Sequence, residues 1–247
     1  MELNTLDDLM GSLLAKNPDE SRDEPEVAAA IGAQLLHMEL PSMPLGLNRR
    51  IRDVISRINP KRVCEIGAGI GHLSAWLLDY WDRSESPEHY HLVEEGGKFG
   101  VILTRLVRRY DAESWAHVTI GNFEELSAAN MTWNAANATL EPAARMGTPP
   151  LNTPFDLIIV NVGWSGQSKA IRLAMENLAP GGLILTSEPE VPVADVGDIP
   201  ESGPETPEQS RVVEFNEWVS LISELNPTHS IGFVPLYNGT LVGIVEL

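Results

Sequence analysis

The segment Val63-Cys64-Glu65-Ile66-Gly67-Ala68-Gly69-Ile70-Gly71 constrains this chain more than any other. A short apolar run stops at glycines on alternate positions, and an apolar helical pattern starts immediately behind them. Glycine lets the backbone turn sharply and lets a ligand approach where a Cβ would stand in the way. The segment therefore reads as a strand-to-helix turn at the ligand-binding edge of an α/β sheet. The flanking sequence keeps that rhythm. Strands are expected at 62–66, 90–94, 118–120, 155–160 and 183–186, with helices at 71–81, 98–110 and 168–178. A helical pattern at 212–225 then leads to two β-rich runs, 230–236 and 241–247, joined through Asn238-Gly239, a strong hairpin signal. The expected fold is α/β: a Rossmann-like, doubly wound, mostly parallel seven-stranded sheet that closes on a C-terminal antiparallel hairpin.

Three helical patterns precede the first strand: leucines 3, 6, 9, 13 and 14 with Met10, then 27–38, then 47–58 before the Asn59-Pro60 break. Residues 1–44 are expected as an N-terminal helical extension and 45–247 as the Rossmann-like domain. The polar string at 17–25 makes the first 26 residues read as a loosely attached arm. Two segments interrupt the strand–helix alternation: 126–154, rich in Asn, Ala and Pro, and 188–210, acidic and proline-rich. Both exceed the usual length of a connection and are expected as functional or floppy loops.

Charge and composition exclude several partners. Against 35 acidic residues stand 17 basic ones, a net charge of -18 that repels a phosphate backbone, so no nucleic-acid partner is expected. The basic runs at 49–62 and 105–109 read either as solvated helix faces or as a patch for an anion. No apolar run approaches the roughly 18 residues of a spanning helix, and Asp7 and Asp8 stand where a signal peptide is basic; no membrane association and a cytoplasmic location are expected. The single cysteine, Cys64, cannot form an internal disulfide or a thiolate metal cluster. The six histidines show no metal spacing.

The glycine turn narrows the ligand. A nicotinamide fingerprint would place its third glycine at 72, which is His72, so an oxidoreductase reading is disfavoured. Glu65, just before the turn, offers a carboxylate to a cationic amino group, directly or through the turn backbone. At the end of the next strand, Glu94 or its neighbour Glu95 can accept both hydroxyls of a ribose. His72 reads either as a ligand contact or as a plain helix-start residue, and Trp164 either as an aromatic pocket wall or as ordinary packing.

In these motifs the chain resembles the class I S-adenosylmethionine-dependent methyltransferases: Glu65-Ile66-Gly67-Ala68-Gly69-Ile70-Gly71, Leu92-Val93-Glu94, Phe155-Asp156-Leu157-Ile158-Ile159-Val160-Asn161, and Leu178-Ala179-Pro180-Gly181-Gly182-Leu183-Ile184-Leu185. The basic helix before the first strand and the closing run 233–241 are similar to the catechol and caffeoyl-coenzyme A type of small-molecule O-methyltransferase. The resemblance implies S-adenosyl-L-methionine as cofactor, with its methionine part at Glu65, Gly67, Ala68, Gly69 and Gly71, and its ribose at Glu94. Its adenine falls beside Asn122 and Phe123, with Asn161 also at the site. A small-molecule methyl acceptor is implied, oxygen being the expected methylated atom, and a homodimer is compatible. The metal-binding pattern of that type is broken: Asn161 ends the fourth strand, Ser187-Glu188-Pro189 follows the fifth, and Trp164 stands near the position of the family lysine. No metal site is therefore expected. The base is unknown, with Asn161, Trp164, Glu188 and His72 the candidates for catalytic roles. Asn161 equally reads as a strand-end cap, and Glu188 as one more acid of a solvated loop. A binding protein of the same fold without catalysis is the alternative. Residues 188–210 read either as a mobile lid that covers the acceptor pocket when substrate and cofactor are both present or as a permanently solvated acidic loop.

Overall fold

The computed structural model describes residues 5–141, 144–145, 147–193, 196–197, 199–200 and 202–247. Three helices come first: α1 (Leu6–Leu13), α2 (Glu26–His37) and α3 (Leu45–Ile58). Alternation follows through β1 (Arg62–Ile66), α4 (His72–Asp82), β2 (His89–Glu94), α5 (Gly97–Arg109), β3 (Ala116–Ile120), α6 (Phe123–Asn137), β4 (Phe155–Val160), α7 (Gln167–Glu176) and β5 (Leu178–Ser187). The chain closes with α8 (Pro207–Leu225), β6 (His229–Leu236) and β7 (Gly239–Glu246). The seven strands form one sheet in the order β3-β2-β1-β4-β5-β7-β6. β7 pairs antiparallel with both β5 and β6, and the remaining pairs are parallel. This is the expected Rossmann-like sheet with its closing hairpin.

The strands are apolar on both faces because both are covered. In β1, Val63 belongs to the cluster under α3, α4 and α5, while Cys64 and Ile66 belong to the one under α7 and α8. β1 lies between β2 and β4, so the chain leaves it in opposite directions and a crevice opens outside the carboxyl ends of β1 and β4.

Several expectations need correction. The arm at the N-terminus is not loose. Leu9 and Leu13 of α1 are fully buried, lying on a floor made by Gly232 of β6 and Gly243 of β7, which are register partners. A Cβ on Gly243 would stand 2.8 Å from Leu13 Cδ2, and one on Gly232 would stand 2.7 Å from Leu13 Cδ1. The polar string after α1 is clamped as well. Buried Arg52 of α3 donates to the Ser21 carbonyl (2.9 Å) and to Asp53 (2.7 Å), approaches Glu20 at 3.7 Å, and lies over the Trp76 ring. Arg83 donates to Glu20 from the other side. Much of the first basic run is thus taken up internally, since Arg50 also donates to the Leu13 carbonyl and Lys61 to Glu85.

The interrupting segment 126–154 is half helix. Asn122 caps α6 by accepting from Glu124 N and Glu125 N. The helix escapes a periodicity reading because its buried positions include Ser127, Asn130 and Asn137 rather than an apolar stripe. Those groups are satisfied by side-chain bonds: Asn130 donates to Thr153 Oγ1, and Asn177 donates to Ser127 Oγ. The second interruption ends at Thr206, whose hydroxyl accepts from Gln209 N, so 207–210 is the first turn of α8. Within that segment Ala194, Asp195, Asp198 and Glu201 lie outside the described residues.

Candidate functional site

A cavity of about 530 Å³ opens at the carboxyl ends of β1, β2 and β4, within the ~300–1,000 Å³ of small-molecule sites. Its floor is the glycine turn. Gly67 has φ of +81°, and a Cβ there would stand 2.7 Å from the Asn161 carbonyl oxygen, so only glycine lets the β1 and β4 ends come together. The N–H groups of Gly67 and Ala68 both donate to the Val93 carbonyl, which ties the turn to β2.

Glu94 completes that tie. Its Oε2 accepts from Gly69 N at 2.7 Å and its Oε1 accepts from Gly96 N at 2.8 Å, while the residue lines the cavity. One carboxylate therefore organises the two turns at the cavity mouth. Each oxygen retains acceptor capacity for a ligand hydroxyl, since a carboxylate offers about four lone-pair directions. Glu95 also lines the cavity, but its Oε1 accepts from Asn122 Nδ2 at 2.7 Å.

Glu65 stands behind the turn. It is fully buried and does not line the cavity. Its Oε2 accepts from Ser74 Oγ at 2.8 Å and from the Tyr90 hydroxyl, whereas Oε1 has no hydrogen-bond partner among the described residues. Burial pushes its carboxyl up to about 7; the Tyr90, Ser74 and Asn161 side chains pull the other way, and Glu94 adds a little to the rise.

The remaining expected residues divide. Ala68, Gly69, Phe123 and Asn161 line the cavity with Gly67 and Glu94, and so does His72. Gly71 and Asn122 do not. Gly71, at φ of +90°, starts α4, and a Cβ there would stand 2.5 Å from Leu106 Cδ2, so this glycine serves the packing of α4 on α5. Asn122 is the cap of α6 and the partner of Glu95. His72 Nε2 sits 2.7 Å from Glu24 Oε1, which pins the segment before α2 to the start of α4. Trp164 lies 40% exposed under the Arg211 guanidinium and outside the cavity wall. Glu188 gives its N–H to the Thr240 carbonyl, extending the strand pairing, and also lies outside the wall.

The roof was not legible in the sequence. Leu35, Leu40, Pro41, Ser42, Met43 and Pro44, from the end of α2 and the link to α3, cover the cavity, and among the described residues of 188–210 none lines it. The signal available was the Pro41-Ser42-Met43-Pro44 bracket, which the sequence pattern marks only as a helix stop. Among the described residues no three His, Cys, Asp or Glu side chains come close enough to hold a metal ion. At the ends of β4 and β5 beside the cavity stand the amide of Asn161 and the hydroxyl of Ser187, neutral groups that make a poor donor set for a hard divalent cation. His89, His91 and His117 cluster by ring contact on β2 and β3, outside the cavity wall.

No family model matches the sequence, and no curated protein matches it. Solved structures do match in fold. A Staphylococcus aureus protein provisionally assigned as a caffeoyl-CoA O-methyltransferase superposes with TM-score 0.65 at 17% identity, over 90% of this chain and 93% of that one. The O-methyltransferase TomG from Streptomyces achromogenes, involved in tomaymycin synthesis and solved with SAM, gives TM-score 0.61 at 15% identity over 98% and 96%. The Bacillus cereus O-methyltransferase, solved in complex with SAH, gives TM-score 0.57 at 16% identity over 98% and 97%.

Proposed function

From the premise that the fold is that of the class I S-adenosylmethionine-dependent methyltransferases, we propose that this protein binds S-adenosyl-L-methionine in the cavity and transfers its methyl group to an oxygen of a small molecule, without a catalytic metal. The observation that carries the reading is Glu94: a carboxylate at the tip of β2, lining the cavity and hydrogen-bonded to Gly69 N in the glycine turn. That is where a ribose diol finds a paired acceptor. The residues present fit the cofactor. The side-chain-free turn at Gly67 and Gly69 leaves room for its methionine part. Gly121 and Phe123 line the side towards β3 and suit the adenine, while Asn161 closes the end at β4. When bound, the cofactor supplies an electrophilic methyl group on a sulfonium sulfur. Displacement at such a methyl depends chiefly on positioning, which a turn tied at three points provides.

Isothermal titration with S-adenosylhomocysteine tests the cofactor, and NAD serves as the control. Binding of the first and not the second supports the reading; binding of NAD alone ends it. Any methyl transfer found is expected to persist in EDTA, because Asn161 and Ser187 are neutral. Activity lost in EDTA and restored by magnesium would overturn the metal-free part. The second reading, a cofactor-binding protein without turnover, draws on the same neutral donors and on Trp164, which stands near the family lysine position and outside the cavity wall. Turnover on any acceptor separates the two.

A further inference from the structure

We infer that Glu24, from the segment before α2, is a positioning residue for the cofactor: it holds His72 so that the other nitrogen of the ring takes the cofactor's α-carboxylate. The inference rests on the cofactor proposed above. S-adenosyl-L-methionine brings a carboxylate into a space that already holds Glu94 and Glu95, in a chain of net charge -18. A buried carboxylate without a counter-group is strongly disfavoured, so the cavity has to supply one. Its lining contains neither lysine nor arginine, and among the described residues His72 is the one lining side chain that can carry a positive charge.

The ring of His72 is 8% exposed, with one nitrogen engaged and one orphaned. Nε2 stands 2.7 Å from Glu24 Oε1, and Nδ1 is buried with no hydrogen-bond partner among the described residues. A carboxylate only accepts, so Nε2 carries the hydrogen of that contact. A second carboxylate at Nδ1 is then satisfied by the imidazolium, which donates from both nitrogens. An orphaned polar atom on a residue of the cavity wall points to a missing partner. The backbone agrees. His72 is the first residue of α4, an 11-residue helix whose start at Gly71 is capped by no side chain, so its dipole and first N–H groups favour an anion at the same place. The fold delivers Glu24 to the ring: a Cβ on Gly32 of α2 would stand 3.2 Å from His72 Nε2, so the backbone of α2 passes close against it. Glu24 thus acts on the cofactor without lining the cavity.

Calorimetry on the full chain with two ligands tests this: S-adenosylhomocysteine and its decarboxylated form, S-adenosyl-3-thiopropylamine, which lacks the carboxylate and keeps the ammonium group. The parent is expected to bind S-adenosylhomocysteine at least about tenfold more tightly than the decarboxylated ligand. His72→Gln keeps an N–H for Glu24 near the position of Nε2 and offers nothing at Nδ1. It should weaken S-adenosylhomocysteine by about tenfold or more and leave the decarboxylated ligand within about twofold, closing the gap between them. Glu24→Gln keeps the shape of the contact and removes the charge behind the ring, so it should narrow the same gap by about three- to tenfold. If His72→Gln does not fold, Glu24→Gln, at a partly exposed position, decides alone. A merely structural tie predicts no change or an equal loss for both ligands, and either result would overturn the inference. A parent that binds the two ligands equally would overturn it with the cofactor reading intact. A parent that binds neither would remove the cofactor reading, and the inference with it.

Discussion

Glu94 and Glu65 stand on neighbouring strands, two residues out of register, and are set by their surroundings to opposite tasks. Glu94 stands at the cavity with both oxygens accepting backbone N–H groups, so it is held ready to accept a diol. Glu94→Ala removes a charged, paired acceptor worth roughly 1.5–3 kcal/mol, and S-adenosylhomocysteine affinity should fall about 10- to 100-fold by calorimetry. Unchanged affinity would remove Glu94 from the site. Glu65 is buried with an unpartnered Oε1, and its carboxyl is raised to about 7 from an ordinary value near 4.5. A raised acid binds more protons when folded than when unfolded between those two values. Stability therefore falls as pH rises from about 4.5 to 7, and the full penalty, on the order of 3 kcal/mol at most, applies above 7. Glu65→Gln keeps an acceptor for Ser74 and Tyr90 without the charge. Relative to the parent, it should gain stability in urea denaturation at pH 8 and lose most of that advantage at pH 5. A difference independent of pH would show that Glu65 does not titrate in this window.

At the scale of elements, the hairpin and α1 form one device. β6 and β7 place glycines opposite each other, and the helix lies where side chains would otherwise stand. A glycine in a strand usually weakens it, so a sequence reading sees two soft spots where the structure has a docking floor. Gly243→Val should displace α1 and expose Leu9 and Leu13, at roughly 2–4 kcal/mol by the scale of overpacking and lost burial. The check is thermal unfolding together with proteolysis between residues 14 and 25. Retention of the parent stability would mean that α1 contributes little. The helix α6 makes the opposite point: its inward Ser127 and Asn130 are held by bonds to partners distant in sequence, which no local period reveals.

For the molecule as a whole, the N-terminal segment and the sheet share one core. Ala28, Ile31 and Leu35 of α2 belong to the same buried cluster as Trp76 and Leu77 of α4, and the roof of the cavity comes from the same stretch. Arg52 is the central tie, buried against Asp53, Glu20, the Ser21 carbonyl and the Trp76 ring. Removing one partner of a buried charge cluster leaves the others uncompensated, so Arg52→Met should cost about 3–5 kcal/mol. Because the roof runs directly into α3, the helix that carries this tie, the same variant should bind S-adenosylhomocysteine more weakly. A loss of stability with full affinity would separate the tie from the site. His72 and Glu24 make a second tie between the same two parts, fastening the segment before α2 to the helix that begins at the glycine turn.

The sequence by itself determined the strand–helix alternation, the closing hairpin, the glycine turn and the acid at the tip of β2. Each depends on a local pattern: apolar period, Asn-Gly chemistry, backbone freedom at glycine, and position at a strand end. Tertiary structure alone decided which of those residues meet. It turned Glu65 away from the cavity towards Ser74 and Tyr90, gave Asn122 to the cap of α6, and set Gly71 against α5. It also brought 35–44 over the carboxyl ends of β1 and β4 to make the roof. Those outcomes depend on contacts between residues far apart in the chain, and a one-dimensional pattern carries no information about which distant partner a side chain will find.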